Sequence, residues 1–323
     1  MTVVVVSNAG TPRARRQVPA LRDALPESPG LQHRVTEHAA DLDALVGHDR
    51  WNADDLLVIN GGDGSVQHAL TLLIRHCPGA RWPVVACLPG GSTNMTALDL
   101  NATRRYRDAV ENLAGLVRRR GPLPVAPRPV VRVNGHGARD TAANGGLFFG
   151  IGTIVQGVEY FHDQVKGCLQ GAGRHELAAG AALLRALWGI ARRQPPFDEP
   201  VAAAIDAPSL GLNPTATLSL RLLFATTLDR LFLGMRPYWG DAAGAMKTTL
   251  VEGRAQHFIR RVPRLLRGRP DAGMDPANGY HSSRLDSLTL SFHGSYTLDG
   301  ELFSGADDRM TVSATTPVRF LPL

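Results

Sequence analysis

The sequence has little that would span a membrane or knit the chain together covalently. It contains no run of about 18 apolar residues, which argues against a transmembrane helix. The N-terminus, Met1-Thr2-Val3-Val4-Val5-Val6-Ser7, has no basic stretch ahead of its apolar residues, so it reads as a buried first strand rather than a signal peptide. Cys77, Cys87 and Cys168 are odd in number and widely spaced. Neither a disulfide framework nor a zinc site follows, and a reducing cytoplasm is the expected compartment. Lysine is nearly missing: only Lys166 and Lys247 stand among 35 basic residues, and arginine carries most of the formal charge of +6. Such a balance suits a phosphorylated ligand, an acidic membrane surface or nucleic acid, and equally a solvated arginine-rich exterior. No module of interleaved basic and aromatic residues supports nucleic acid, which is not an expected partner. The eleven histidines form no H-E-x-x-H pattern, and no G-x-x-x-x-G-K-[ST] loop occurs.

What is present is an alternation of apolar runs and helical patterns. Val3–Val6, His33–Thr36, Leu56–Ile59 and Val84–Leu88 read as strands. Helical spacing covers Ala14–Leu25, an Ala/Leu segment through Val46, His68–Arg75 and Arg104–Arg120. Strands alternating with helices predict an α/β fold with a doubly wound, mostly parallel sheet, whose ligands sit beyond the carboxyl ends of the strands. A breaker cluster, Gly121-Pro122-Leu123-Pro124 with Pro127 and Pro129, then divides the chain. The division predicts a nucleotide domain over 1–128 and a β-sandwich-like domain over 129–323, with the final segment packing back on the first. Val130–Val133, Gly146–Ile151, Thr217–Thr226 and Ser287–Phe292 supply its strands, and Glu176–Arg193 one helix. Leu183–Arg193 and His257–Arg269 each admit two readings, a basic amphipathic helix on a membrane or a core-facing helix with a solvated arginine edge.

Two glycine loops leave predicted strands and enter helices. In Asn60-Gly61-Gly62-Asp63-Gly64-Ser65 the glycines let backbone amides approach a phosphate, and the helix N-terminus adds a positive dipole end. Ser65 can cap that helix or donate to a phosphate oxygen. Asp63 would repel phosphates unless it worked through Mg²⁺ or a bound proton. A tight turn with a capping aspartate accounts for this loop equally well. The second loop, Pro89-Gly90-Gly91-Ser92-Thr93-Asn94, repeats the pattern after the next strand and adds weight to a phosphate site.

The two loops together resemble the diacylglycerol-kinase catalytic-domain superfamily, which includes bacterial lipid kinases and sphingosine kinases. Gly61–Ser65 is similar to its GGDGT and Pro89–Asn94 to its P-x-G-[TS]-x-N. Ser7–Thr11 represents loosely the first-strand loop, and Thr36 the threonine ending the second strand. Gly146–Gly152 resembles an apolar G-x-G core, and Leu298-Asp299-Gly300-Glu301 the D-G-E carrying the catalytic carboxylate. The resemblance implies ATP as co-substrate with Mg²⁺, a lipid hydroxyl as acceptor, and a cytoplasmic enzyme in transient contact with the inner membrane surface. It implies a catalytic set of Glu301, Asp63 and Asp299, with Glu301 as base and Asp63 organising Mg²⁺ through water. Nucleotide contacts fall to Asn8, Thr11, Thr36, Gly61, Gly62, Gly64, Ser65, Gly91, Ser92, Thr93 and Asn94.

Two features depart from that pattern. Met95 follows Asn94 where many bacterial relatives have an acidic residue. Trp239–Thr248 does not reproduce the D-G-x-L segment linked in some members to a structural metal, and no residues are carried over for one. Two alternatives stand beside the lipid kinase: an NAD kinase-like enzyme with a soluble acceptor, and a catalytically weak lipid- or nucleotide-binding protein. The lack of T-P-T-G-S-T-A-Y and the presence of Asp299-Gly300-Glu301 count against the first.

Overall fold

A computed structural model describes residues 1–10, 12–25, 30–47, 51–91, 93–101, 103, 105–119, 121–135, 143–160, 189, 199–212, 217–304 and 309–323. The chain forms two compact units. One comprises Met1–Val130, Asn144–Gly146 and Thr315–Leu323; the other comprises Val131–Ala143 and Leu147–Ala314.

The first unit is built on β1 (Val3–Asn8), β2 (Leu31–Thr36), β3 (Leu56–Gly61), β4 (Val84–Pro89), β5 (Ala126–Arg128), the short β7 (Asn144–Gly146) and β17 (Val318–Phe320). Six of these make a sheet in the order β2-β1-β3-β4-β17-β5, parallel from β2 through β17, with β5 antiparallel at the edge. The central strands β3 and β4 are buried along their whole length, as unbroken apolar runs in a parallel sheet must be when both faces are covered. On one face Val3, Val5, Leu56, Val58, Val84 and Ala86 meet α1 (Pro12–Ala24) and α5 (Tyr106–Arg119). Helix α5 buries Ala109, Val110, Leu113, Ala114 and Val117, a stripe at helical spacing. Truncating Leu113, which has no exposed surface, to alanine would cost about 2–5 kcal/mol. The remaining helices are α2 (Ala39–Leu42), α3 (Asp63–His76) and α4 (Met95–Leu100). Helix α3 is tied to β7 by Gln67 Nε2, which donates to the Gly145 carbonyl (3.1 Å), and by Thr71 Oγ1, which both donates to that carbonyl and accepts from Gly145 N–H.

The second unit is antiparallel. Its strands are β6 (Val131–Asn134), β8 (Phe148–Gly152), β9 (Val201–Asp206), β10 (Thr217–Thr226), β11 (Met246–Glu252), β12 (Tyr280–Leu285), β13 (Ser287–Phe292), β14 (Ser295–Leu298), β15 (Glu301–Ser304) and β16 (Met310–Ala314). They follow the order β15-β14-β8-β10-β9-β13-β16-β6, with β11 also pairing β10 and β12. The ten-residue β10 pairs β9 along its first half and β8 along its second, with a bulge between Leu220 and Leu222, so the sheet curls. Phe149, Leu223, Leu250, Leu290, Tyr296 and Val312 point into the common core. Two helices are described here, α6 (Thr153–Tyr160) and α7 (Phe258–Leu266). The latter places Phe258, Val262 and Leu265 in a satellite core with Val251, Met274 and Tyr280. The helix expected over Glu176–Arg193 lies outside the described residues apart from Gly189. Among the described residues no helix is long and apolar enough to cross a membrane.

Candidate functional site

Both glycine loops lie at the carboxyl ends of adjacent parallel strands, with Gly61 of β3 in register with Pro89 of β4. Their backbones touch. A methyl on Gly91 would collide with Gly62 Cα, and one on Gly90 would lie 2.9 Å from both Gly61 N and Asn60 Oδ1. Only residues without a side chain permit two loops to pack this closely.

Asp63 joins the loops. Its Oδ2 accepts Met95 N–H (2.9 Å) and its Oδ1 accepts Thr96 N–H (2.8 Å), so the carboxylate satisfies two first-turn donors of α4. Burial raises its pKa above the usual carboxylate range, against the opposing pull of the Thr96 and Met95 amides. Asn94, the N-cap of α4, sits in the left-handed region at φ 51°, where asparagine is tolerated. Its side chain closes on the loop, accepting Gly91 N–H (2.7 Å) and donating to the Gly91 carbonyl (2.8 Å). Helix α3 differs. It starts from Gly62, an N-cap residue with no side chain to cap the helix. Ser65 is therefore not the cap that its position allowed. Instead its Oγ accepts Asn8 Nδ2 (2.9 Å), while Asn8 Oδ1 accepts Gly10 N–H (2.9 Å). With its lone pair so engaged, the Ser65 hydroxyl proton is left to donate.

The other nucleotide candidates divide. Thr36 is buried, and its hydroxyl donates to the Ser7 carbonyl (3.4 Å), tying the end of β2 to β1. Thr93 is partly buried on the second loop. Thr11 and Ser92 lie outside the described residues. Sequence reasoning passed over Asn60 and Ser7, which lie buried below the loops with Asn60 Nδ2 donating to Ser7 Oγ (3.0 Å). A polar residue closing an apolar strand, directly before Gly61, was the available signal.

In the antiparallel unit, Asp299 and Gly300 form the two-residue turn of the β14–β15 hairpin, at φ 50° and φ 90°. Two positive φ values are those of a type I′ turn, for which Asp-Gly is a favoured pair. Asp299 is buried. Its carboxylate accepts Leu147 N–H (2.9 Å) and Phe148 N–H (2.8 Å), while its own N–H donates to the Phe148 carbonyl (2.9 Å). The same segment is held from behind by Thr226 Oγ1, which donates to the Leu147 carbonyl (2.8 Å). Glu301 opens β15 exposed to solvent. Lys247, also passed over, donates from Nζ to the Leu228 carbonyl (3.0 Å) and to Asp229 Oδ1 (2.5 Å).

The chain thus combines two glycine loops on a parallel sheet with a separate antiparallel β unit. Residues 1–121 match the family described as the diacylglycerol kinase catalytic domain, so the resemblance carried by the loops holds over that stretch. Among solved structures, a diacylglycerol kinase from Bacillus anthracis str. Sterne superposes with a TM-score of 0.66 at 15% identity, covering 100% of this chain and 97% of the other. A second structure from that organism, of a protein assigned as a diacylglycerol kinase, gives 0.66 at 16% identity, covering 100% and 95%. Yeast NADH kinase complexed with NADH is more distant, with a TM-score of 0.50 and 10% identity over 100% of this chain and 84% of that one. No curated protein matches the chain.

Among the described residues no group of three or more His, Cys, Asp and Glu side chains is placed to hold a metal ion. Asp63 is the sole carboxylate of the two loops, and backbone amides engage both its oxygens. These residues do not fit an ion held directly by protein oxygens. They fit one carried on phosphates and reached through water, since a carboxylate oxygen keeps a second lone pair.

Proposed function

We propose that the chain is an ATP-dependent kinase that transfers the γ-phosphate of ATP to the hydroxyl of a lipid. The observation that carries this reading is the pair of glycine loops packed backbone to backbone at the ends of β3 and β4, within the stretch that matches the diacylglycerol kinase catalytic domain. The phosphates lie against the uncapped first turn of α3, where backbone N–H groups and the helix dipole favour an anion. The α4 turn is already satisfied by Asp63, so Gly61, Gly62 and Gly64 supply backbone and Ser65 a hydroxyl donor, while Gly91, whose N–H is taken by Asn94, leaves room for the first loop. Ser92 and Thr93 extend the set on the second loop. Asp63 would hold Mg²⁺ through water, and the ion would supply neutralisation of phosphate charge.

Phosphoryl transfer also needs a group that accepts the proton of the attacking hydroxyl. Glu301 takes that role, and the pinned Asp299 turn fixes where the Glu301 backbone starts. Asp299 thus serves by position, because both its oxygens are engaged by amides. The acceptor is a diacylglycerol-like or sphingoid-like lipid, met by a cytoplasmic protein in transient contact with a membrane.

The test is transfer of label from γ-labelled ATP to an organic-soluble product in lipid extracts, with NAD as a parallel acceptor. Glu301→Gln is expected to lower kcat by about 100-fold or more while leaving ATP binding and the melting temperature in place. Label appearing only in NADP, or undiminished lipid turnover in the variant, would overturn the assignment.

A further inference from the structure

Two segments of the antiparallel unit carry an unusual combination of arginine and exposed apolar side chains. Residues 254–269 hold six arginines, Arg254, Arg260, Arg261, Arg264, Arg267 and Arg269, and no carboxylate. Arg230-Leu231-Phe232-Leu233-Gly234-Met235-Arg236 is an apolar loop between two exposed arginines. The segments are joined, since Arg236 N–H donates to the Leu266 carbonyl (3.0 Å).

Helix α7 sorts its residues into stripes. Phe258, Val262 and Leu265 face the satellite core. At 100° per residue, Ile259, Pro263 and Leu266 form a flanking apolar stripe, and Arg260, Arg264 and Arg267 a basic one turned away from the core. Arg261 is committed elsewhere, ion-paired to Asp271 (3.2 Å) over the ring of Tyr280. Among the described residues of this unit, the exposed large apolar side chains are Leu233, 60% exposed, and Ile259, 39% exposed. Both belong to this surface. Leu233 also has φ 55°, a left-handed conformation that penalises leucine. The fold thus holds a largely exposed leucine in a left-handed conformation that favours other residues.

We propose that the Leu231–Met235 loop and the outer stripes of α7 form a docking surface for an anionic lipid bilayer. Leu233 enters the headgroup boundary, Ile259 rests along it, and Arg236, Arg260, Arg267 and Arg269 meet lipid phosphates. Charge complementarity selects an anionic partner, and the apolar tip selects a bilayer over a polynucleotide. A single strand would need exposed aromatic faces to stack on, and Phe232, Tyr238 and Trp239 are each partly buried. The surface needs no kinase activity to act, so its test is independent of the reaction.

The full chain is sedimented with phosphatidylcholine vesicles with and without phosphatidylglycerol, at low and high salt. Wild type binds the anionic vesicles, and salt weakens the binding. Leu233→Asn places a residue tolerant of positive φ at the tip, so the melting temperature holds or rises while vesicle affinity falls about tenfold. Arg260→Glu with Arg269→Glu lowers it by more than about tenfold. Equal binding to both vesicles, no binding at low salt, or an unchanged affinity in Leu233→Asn would overturn the proposal. The last result, with competition by a single-stranded oligonucleotide, would mark a general polyanion surface instead.

Discussion

Each unit of the chain has an Asp-Gly corner, and the two corners use the same device for different ends. Asp63 and Asp299 each spend a carboxylate on two consecutive backbone N–H groups from a segment remote in sequence, Met95 and Thr96 in one case, Leu147 and Phe148 in the other. In the parallel unit the aspartate opens a helix and holds a second glycine loop beside the first. In the antiparallel unit it sits in a type I′ turn and fixes the start of the strand that carries Glu301. Both carboxylates thus hold a backbone segment in place, whatever else they do.

The comparison breaks if either clamp is dispensable. Asp63→Ala leaves the Met95 and Thr96 donors without their partner and Asp299→Ala does the same for Leu147 and Phe148. Each is expected to cost about 2–4 kcal/mol in urea unfolding, while alanine at exposed Glu301 changes stability by less than about 0.5 kcal/mol. If Asp299→Ala proved neutral, the turn would not be held by its carboxylate. A second contrast separates the glycines by mechanism. Gly91→Ala meets the backbone of Gly62 and is expected to cost about 1–3 kcal/mol and to weaken ATP binding. Gly300 has open space around it but φ 90°, so Gly300→Ala is expected to cost about 1 kcal/mol from backbone strain alone. Melting temperatures with nucleotide titrations distinguish the two.

Much of the parallel unit was legible because its signals are local. Val3–Val6, Leu56–Ile59 and Val84–Leu88 are apolar runs, the last two leading into glycine turns, and each became a strand of the sheet. The antiparallel unit was less legible. Val201–Asp206, with three consecutive alanines, and Met246–Glu252, with Lys247 at its second position, lack the alternation that marks a half-buried strand. Their pairing depends on β10, a long-range partner that spacing does not reveal. Glycine loops and the D-G-E turn could be located from sequence, but the use of each carboxylate could not. The bonds of Asp63 and Asp299 span 32 and 152 residues, and only the folded backbone brings those amides within reach. For His257–Arg269 the structure places Phe258, Val262 and Leu265 in a core, as the reading of a core-facing helix with an arginine edge expected.

The smallest expected effect is the response of the two units to acid, which sets Asp63 against Glu252. Burial raises the Asp63 pKa in the folded state, so the native chain takes up this proton before the unfolded one. Its contribution to stability therefore grows as pH falls through the raised value toward the unfolded one near ~3.9. Glu252 is also buried, but hydrogen bonds from Arg254 and His281 outweigh that burial and lower its pKa. Its contribution is present above the unfolded value near ~4.3 and is lost as pH falls through the lowered one. Hydrogen exchange followed peptide by peptide from neutral to acid pH reads the two separately. Asp63→Asn removes the compensating gain, so protection at Met95 and Thr96 should fall more steeply with acid than in wild type. Glu252→Gln removes the acid-labile term, so protection over Tyr280–Leu285 should fall less steeply. Parallel pH profiles for Asp63→Asn and wild type would mean that the carboxylate clamping α4 is no more costly to ionise than an exposed one, and the contrast in acid response between Asp63 and Glu252 would then fall away.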